Sequence, residues 1–175
     1  MIVLGIDPGK DGYMVWLGDR FGQHVLNSVQ TPMLSAASGG KREYYVAEMW
    51  QRLRWYIADL VVLEKQQAMP KSLHGRTQGT ASSFSTGYGY GLWVGLITAM
   101  DIPLLIVHPR TWQKELHRDI PGDDPKARSI IAAGRLYPGV DLRATGRCTK
   151  PHTGKVDALL LAHYGLLHGT AKETP

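Results

Sequence analysis

The sequence predicts a single α/β domain in which three strands open the chain and helices alternate with strands after them. Three observations lead to this class. The chain has 175 residues, enough for one domain with a full hydrophobic core. Hydrophobic residues make up 43% and charged residues 20%, which excludes disorder and coiled coils. Short apolar runs bounded by Pro and Gly come first, and helical periodicity follows them.

The first part of the chain is predicted to form an antiparallel meander. An apolar run over residues 2–6 is followed by residues 7–12, whose Pro and Gly content favours a tight turn. A return strand over 13–17 and a third strand over 23–29 complete the meander. Residues 31–42, rich in Pro, Ser and Gly, are predicted to be a connection.

The rest of the chain is predicted to alternate helices with strands. A β-branched run over residues 60–63, ending at Glu64, is typical of a central strand. Five apolar residues recur at helical spacing and are predicted to form the buried face of a helix: Val46, Met49, Trp50, Leu53 and Ile57. The remaining elements are a helix over 82–100, a strand over 103–107, a helix from Pro109, a helix over 125–136, and a last helix with Val156, Leu159, Leu160, His163 and Leu167 on one face.

The helix over residues 82–100 contains four glycines, Gly87, Gly89, Gly91 and Gly95. Each costs up to about 1 kcal/mol relative to alanine inside a helix. We therefore expect close packing against another backbone or helix to offset this cost.

Charge is distributed unevenly along the chain. Twenty Lys and Arg against fifteen Asp and Glu give a formal net charge of +5, which permits a polyanionic partner. Two windows, residues 65–100 and 142–156, contain basic residues and no acid, and they could equally be solvated loops. Cys148 is the only cysteine, and the uncharged stretch over 77–100 is too polar to span a bilayer, so we expect a cytoplasmic protein without a membrane partner.

Three acids occupy positions that an ordinary core would not give them. Asp7 ends the first strand, Glu64 ends the fourth, and Asp157 begins the last helix among apolar neighbours. If the two strands are parallel neighbours, Asp7 and Glu64 emerge at one edge of the sheet, where ligands of α/β proteins bind. Three converging carboxylates suit Mg2+ or Mn2+.

The same three acids also have ordinary interpretations. Asp7 could start an Asp-Pro-Gly turn, Glu64 could pair with Lys65 or Arg76, and Asp157 could be a first-turn helix acid. Together, however, the three positions favour a metal site.

Three motifs connect these acids to a known family. Residues 5–9 read Gly-Ile-Asp-Pro-Gly, residues 62–66 read Val-Leu-Glu-Lys-Gln, and residues 155–162 read Lys-Val-Asp-Ala-Leu-Leu-Leu-Ala. In this order and spacing they resemble the motifs of RuvC-type Holliday junction resolvases, particularly the compact bacteriophage members. The resemblance implies an RNase H-like fold with a central five-stranded mixed sheet. It also implies a homodimer that nicks four-way DNA junctions symmetrically, and we expect the helix over 82–100 at the dimer interface.

The resemblance also assigns site residues. It implies that Asp7, Glu64 and Asp157 hold two Mg2+ ions, which Mn2+ could replace, with Asp7 bridging them. Many members carry a further acid or His three residues before the last Asp, where this chain has Gly154, and His152 is the nearest substitute. The resemblance further points to Lys114 as a catalytic lysine beside the cleaved phosphate and to Lys126 as a second phosphate contact.

DNA contacts are expected from the basic windows and from the helices near the site. In residues 69–76, Met69 or Leu73 could act as a wedge at the junction crossover. The expected nucleic-acid-binding residues are Lys71, Arg76, Arg110, Lys114, Lys126, Arg128, Arg147, Lys150 and Lys155.

Three other functions are compatible with parts of this sequence pattern. An RNA-processing nuclease of the same fold would carry the same acids, and a junction-binding protein without catalysis would need none of them. A sugar kinase or actin-like ATPase would need a second lobe, which 175 residues exclude, so we expect no nucleotide cofactor.

Overall fold

The structure is a computed structural model that describes residues 1–35, 42–66 and 79–169. Twelve elements lie in these ranges. The strands are β1 (Ile2–Ile6), β2 (Tyr13–Arg20), β3 (Gln23–Gln30), β4 (Met33–Leu34), β5 (Glu43–Tyr44), β6 (Leu60–Glu64) and β7 (Leu104–Val107). The helices are α1 (Val46–Trp55), α2 (Thr80–Ala99), α3 (Pro109–Leu116), α4 (Pro125–Leu136) and α5 (Thr153–His168).

Five strands form one mixed sheet in the order β3-β2-β1-β6-β7. The first three pair antiparallel, and β1, β6 and β7 run parallel to one another. The predicted class and the five-stranded mixed sheet are confirmed. Ile6 pairs with Leu63, so the next residues along β1 and β6 are Asp7 and Glu64, which leave the sheet at the same edge.

Helices cover both faces of the sheet. Alternate side chains of β1 serve opposite faces, because successive residues of a strand point to opposite sides. Ile2, Leu4 and Ile6 pack with α1 and α2, whereas Val3 packs with α3, α4 and α5. At Gly5 a Cβ atom would collide with the backbone of Ala158 and Ala162, so the absence of a side chain lets α5 lie directly on the central strand.

The predicted buried face of α1 is wrong at two positions. Met49 and Leu53 are fully buried, but Trp50 is 41% exposed and Ile57 is 66% exposed. The helix ends at Trp55, which leaves Ile57 outside it. Trp50 lies on the outer face, with the Arg54 guanidinium 4.6 Å from its ring centre.

Two further packing predictions are corrected. In α2, Gly89 packs against the Tyr44 ring, but a Cβ at Gly87, Gly91 or Gly95 would meet no atom of the described residues. These three glycines therefore lack the expected close neighbour among the residues that the structure describes. In α5, the helix is buried nearly all round its first three turns, and Leu167 at its far end is exposed rather than buried.

None of the helices in the described ranges combines the length and hydrophobicity that a membrane-spanning segment needs.

Candidate active site

The three predicted acids converge at the edge of the sheet where β1 and β6 end. Asp7 follows β1, Glu64 is the last residue of β6, and Asp157 lies in the second turn of α5, which begins four residues earlier than expected. Each is partly buried. Their charges act on one another, since Asp7 raises the pKa of both Glu64 and Asp157. The structure thus brings together the three side chains that the sequence singled out.

Burial and mutual repulsion make these carboxylates reluctant to ionise. Burial first, then the charges of Asp7 and Asp157, raise the pKa of Glu64 to about 8. Burial and then Asp7 raise the pKa of Asp157 to about 7. Burial also raises the pKa of Asp7, against the Gly9 amide and His152, which lower it. A nearby positive charge would reverse all three shifts.

In the described ranges, no protein cation supplies that charge by direct pairing. No ion pair within the described ranges includes Asp7, Glu64 or Asp157, and this removes the pairing of Glu64 with Lys65 as an explanation. Lys126 lowers the pKa of Asp7 and Asp157 from a distance. The other alternative partner of Glu64, Arg76, lies outside the described residues.

Neutral hydrogen-bond donors of the protein orient the three carboxylates. The Gly9 amide donates to Oδ1 of Asp7 at 3.3 Å. Nε1 of Trp112 donates to Oε1 of Glu64 at 3.1 Å, and a hydrogen bond from Ser129 lowers the pKa of Asp157. Each acid is therefore oriented by a neutral donor, and no ion pair in the described ranges neutralises it.

The donor set fits a hard divalent cation. It offers carboxylate oxygens only, the ligands that Mg2+ and Mn2+ prefer, and their repulsion is the kind that a dication relieves. Among the described residues, no three His, Cys, Asp or Glu side chains are already closed around one point at metal-binding distances. The fit to a divalent cation therefore lies in the chemistry of the three acids and not in a closed set of ligands.

The fourth metal-ligand position cannot be filled by residue 154. A Cβ at Gly154 would lie 2.8 Å from Oδ2 of Asp7 and 2.7 Å from the backbone oxygen of Asp11, closer than Cβ atoms approach backbone. His152, the N-cap of α5, lies beside Tyr13, with ring centres 4.8 Å apart and ring planes tilted by 54°. Its buried Nδ1 has no hydrogen-bond partner among the described residues. His152 thus lies close to Asp7 while Gly154 makes room for that carboxylate.

The two lysines singled out by resemblance differ in placement. The positive charge of Lys126, at the start of α4, lowers the pKa of Asp7 and Asp157. Lys114 does not affect the pKa of any of the three acids. Residues two apart on a helix point in nearly opposite directions, so a helix that turns Trp112 toward Glu64 turns Lys114 toward solvent. A catalytic role of Lys114 stays a prediction that the placement does not favour.

The other expected DNA contacts have varied surroundings. Arg110, Arg147 and Lys150 are exposed. Arg128 is partly buried and donates to the His117 carbonyl at 2.7 Å, and Lys155 donates to the Arg143 carbonyl at 3.2 Å. The expected contacts and wedge residues that lie outside the described residues are Lys71, Arg76, Met69 and Leu73.

A polar cleft beside Asp7 was missed by the sequence reasoning. It has a volume of about 220 Å3, and none of its described lining residues is acidic. Nζ of Lys10 donates to the Arg42 carbonyl at 2.7 Å and lies 5.8 Å from the Tyr44 ring centre, at the cleft wall. Polar groups that line the cleft include Gly9, Lys10, Gln66, Ser82, Ser85 and Thr86. A larger cavity of about 360 Å3 lies between β2, β3 and residues 139–142, and the three carboxylates do not line it.

The mixed sheet with helices on both faces, and acids at the edge where β1 and β6 end, define the RNase H-like fold. Thermus thermophilus RuvC has this fold and superposes with a TM-score of 0.57 at 15% identity, covering 97% of this chain and 98% of RuvC. T. thermophilus RuvC in complex with Holliday junction substrate gives 0.54 at 14% identity, covering 97% and 98%. Fowlpox virus resolvase in complex with Holliday junction DNA gives 0.49 at 14%, covering 96% and 99%. The resemblance inferred from the motifs is confirmed as a shared fold.

No protein-family model matches the sequence, and no curated protein is significantly similar to it.

Proposed function

We propose that this protein is a divalent-metal-dependent endonuclease that resolves four-way DNA junctions by paired symmetric nicks. The observation that carries the proposal is the convergence of Asp7, Glu64 and Asp157 without a protein cation paired to any of them in the described ranges. The junction is proposed as substrate because T. thermophilus RuvC, which shares the fold, forms a complex with Holliday junction substrate.

Asp7, Glu64 and Asp157 would hold two Mg2+ ions. The ions, when bound, supply Lewis-acid activation of water and neutralise charge on the phosphate. The protein contributes orientation: the Gly9 amide, Trp112 and Ser129 fix the three carboxylates. Positive charge at Lys126 attracts the phosphate toward them.

The DNA backbone would follow the basic and polar groups around the carboxylates. The acid-free cleft holding Lys10 and the Ser and Thr hydroxyls of α2 suits a phosphate next to the cleaved one. Exposed Arg110, Arg147 and Lys150 suit contacts farther along the arms. Lys71, Arg76, Lys114, Arg128 and Lys155 remain proposed contacts on the strength of their charge.

A homodimer would place two such sites on the two equivalent strands of a junction. Support comes from the outer face of α2, which we define as Phe84, Gly87, Tyr88, Gly91 and Gly95. Phe84 is 74% exposed and Tyr88 50% exposed, and the three glycines have no described neighbour over them. Small residues beside exposed aromatic rings allow a second helix to approach closely.

The test is incubation with a synthetic four-way junction, with Mg2+ or with EDTA. We expect paired nicks at symmetric positions with Mg2+ and none with EDTA, because the carboxylates need the dication to stabilise the transition state. Linear duplex DNA and duplex RNA serve as competing substrates. Cleavage of the RNA but not the junction would favour an RNA-processing nuclease, and junction binding without nicks would favour a binding protein.

A further inference from the structure

Two of the three carboxylates are held by side chains that are completely buried. Trp112 on α3 has no exposed surface and donates to Glu64, with Nε1 3.1 Å from Oε1. Ser129 on α4 is 2% exposed, and its hydrogen bond lowers the pKa of Asp157. Neither residue faces the cleft beside Asp7, so both act on the carboxylates from the protein side.

His117 links these two donors. It caps the end of α3 and is 3% exposed, and its Nε2 lies 3.1 Å from Oγ of Ser129. Its ring meets the Trp112 ring edge to face, with centres 5.8 Å apart and planes at 79°. The His117 carbonyl in turn accepts from Arg128 at 2.7 Å. One imidazole therefore touches both residues that bond to the acids.

The direction of the hydrogen bonds follows from the single proton of the Ser129 hydroxyl. An ionised carboxylate can only accept, so when Asp157 is ionised a Ser129 hydroxyl that donates to it accepts from Nε2 of His117. In that state the hydrogen bonds run from His117 through Ser129 to Asp157.

Burying the side chains of His117 and Ser129 costs free energy unless they are hydrogen-bonded. In the described ranges, only His117, Ser129 and Thr31 are polar or charged residues classed as buried. A buried polar side chain costs free energy unless it is bonded, and apolar residues would pack at these positions without that cost. Among the described residues, the side chains of His117 and Ser129 offset this cost by hydrogen bonds to each other and, for Ser129, to Asp157.

We propose that Trp112, His117 and Ser129 form a positioning unit that fixes the orientation of Glu64 and Asp157 before a divalent ion binds. The proposal rests on the proposed function, because it treats those two acids as metal ligands. Side chains behind metal ligands orient them, and their loss lowers metal affinity by about 10- to 100-fold.

The experiment measures Mg2+ and Mn2+ affinity of the full chain by calorimetry, alongside thermal unfolding in EDTA and junction nicking. Ser129→Ala removes the donor to Asp157, and Trp112→Phe removes the donor to Glu64 while keeping an aromatic ring. For each we expect the metal dissociation constant to rise by about tenfold or more. High Mg2+ should partly restore nicking, because the ligands themselves remain.

Two variants of His117 separate positioning from packing. His117→Gln retains an N–H donor near the position of Nε2, and we expect metal affinity close to that of the parent. His117→Leu fills the site without a donor, and we expect it to behave as Ser129→Ala does. Rescue by Gln but not by Leu is a result that a purely structural role would not give.

Tyr137→Phe is the matched control. The Tyr137 hydroxyl lies 2.7 Å from Nδ1 of His163, in the same helical layer but without contact to the three acids. We expect this variant to lower the unfolding temperature with unchanged metal affinity.

Failure of this inference and failure of the proposed function give different results. If the parent binds metal and nicks junctions but Ser129→Ala and Trp112→Phe bind metal equally well, the positioning unit is refuted and the function stands. If the parent itself binds no divalent ion, the proposed function fails and the positioning role falls with it.

Discussion

The two helical layers of this protein differ in what they leave exposed. The layer formed by α3, α4 and α5 encloses polar side chains, and its buried groups bond to the carboxylates at the sheet edge. The layer formed by α1 and α2 has an apolar inner face, and its outer face carries exposed Trp50, Trp55, Phe84 and Tyr88. One layer holds buried polar groups next to the carboxylates, and the other leaves aromatic surface exposed.

Removing the charge of a carboxylate should have the largest effect on activity. We expect Asp7→Asn, Glu64→Gln or Asp157→Asn to reduce nicking by about a thousandfold or more, because the metal and the transition-state charge lose their partners. Junction affinity should stay near that of the parent, since few phosphate contacts are lost. Single-turnover nicking and a gel-shift titration measure the two effects, and full cleavage by any one variant would remove that residue from the site.

The outer face of α2 can be tested with a pair of glycines. Gly91→Leu places a bulky side chain on the proposed interface, and we expect the dimer dissociation constant to rise by about tenfold or more. Gly134→Leu makes the same change on α4, where a Cβ also meets no described atom, and should leave association unchanged. Sedimentation over a concentration series distinguishes them. A monomeric parent with full activity would refute the dimer.

Stability should respond to pH through Glu64. The pKa of this carboxyl is about 8 in the folded protein against an ordinary 4.5, so folding favours its protonated form. Its contribution to stability is present below pH 4.5 and is lost as the pH rises toward 8. We expect Glu64→Gln to raise the unfolding free energy of the metal-free protein by ~2 kcal/mol at about pH 9, with little change at about pH 4.

Urea unfolding in EDTA measures this difference. Glu43→Gln, at an exposed carboxylate, is the control and should have little effect at either pH. Added Mg2+ should stabilise the parent at high pH but not Glu64→Gln. Equal stability of parent and variant at both pH values would contradict the buried charge.

Individual surface cations should have the smallest effects. We expect Arg147→Ala to weaken junction binding by about three- to tenfold and to flatten the dependence of affinity on salt, which is about −0.9 in log units per neutralised phosphate. Lys126→Ala, beside the carboxylates, should lower the nicking rate more than the affinity. An affinity that hardly changes with salt would place the DNA contacts elsewhere.

Local sequence signals predicted much of the fold. Asp124 accepts from the Lys126 amide and caps α4, and the helix spans the predicted residues 125–136. The strands 2–6 and 60–63 were equally clear because both are continuous apolar runs. The meeting of Asp7 and Glu64 then followed from one assumption, the parallel pairing of those strands, which the register confirms.

The rest depended on packing between distant elements. Trp112 reads as an apolar residue of an amphipathic helix, and only the approach of α3 to β6 turns its Nε1 toward Glu64. Ser129 and His117 carry no motif, because their bond joins two helices across a tertiary contact. Likewise Trp50 follows the helical spacing of a buried face, but the sheet covers only the side that holds Met49 and Leu53.

The contact of α5 with Gly5 has a consequence for how the molecule opens. The backbone of Ala158 and Ala162 rests on the central strand with no side chain between them, so α5 cannot move away without exposing the sheet interior. Amide protons in the middle of α5 and in β1 should therefore exchange with solvent only when the whole protein unfolds. Asp7 and Asp157 are attached to these two elements, so their spacing is kept by the slowest-exchanging part of the chain and is insulated from fluctuations of the surface loops.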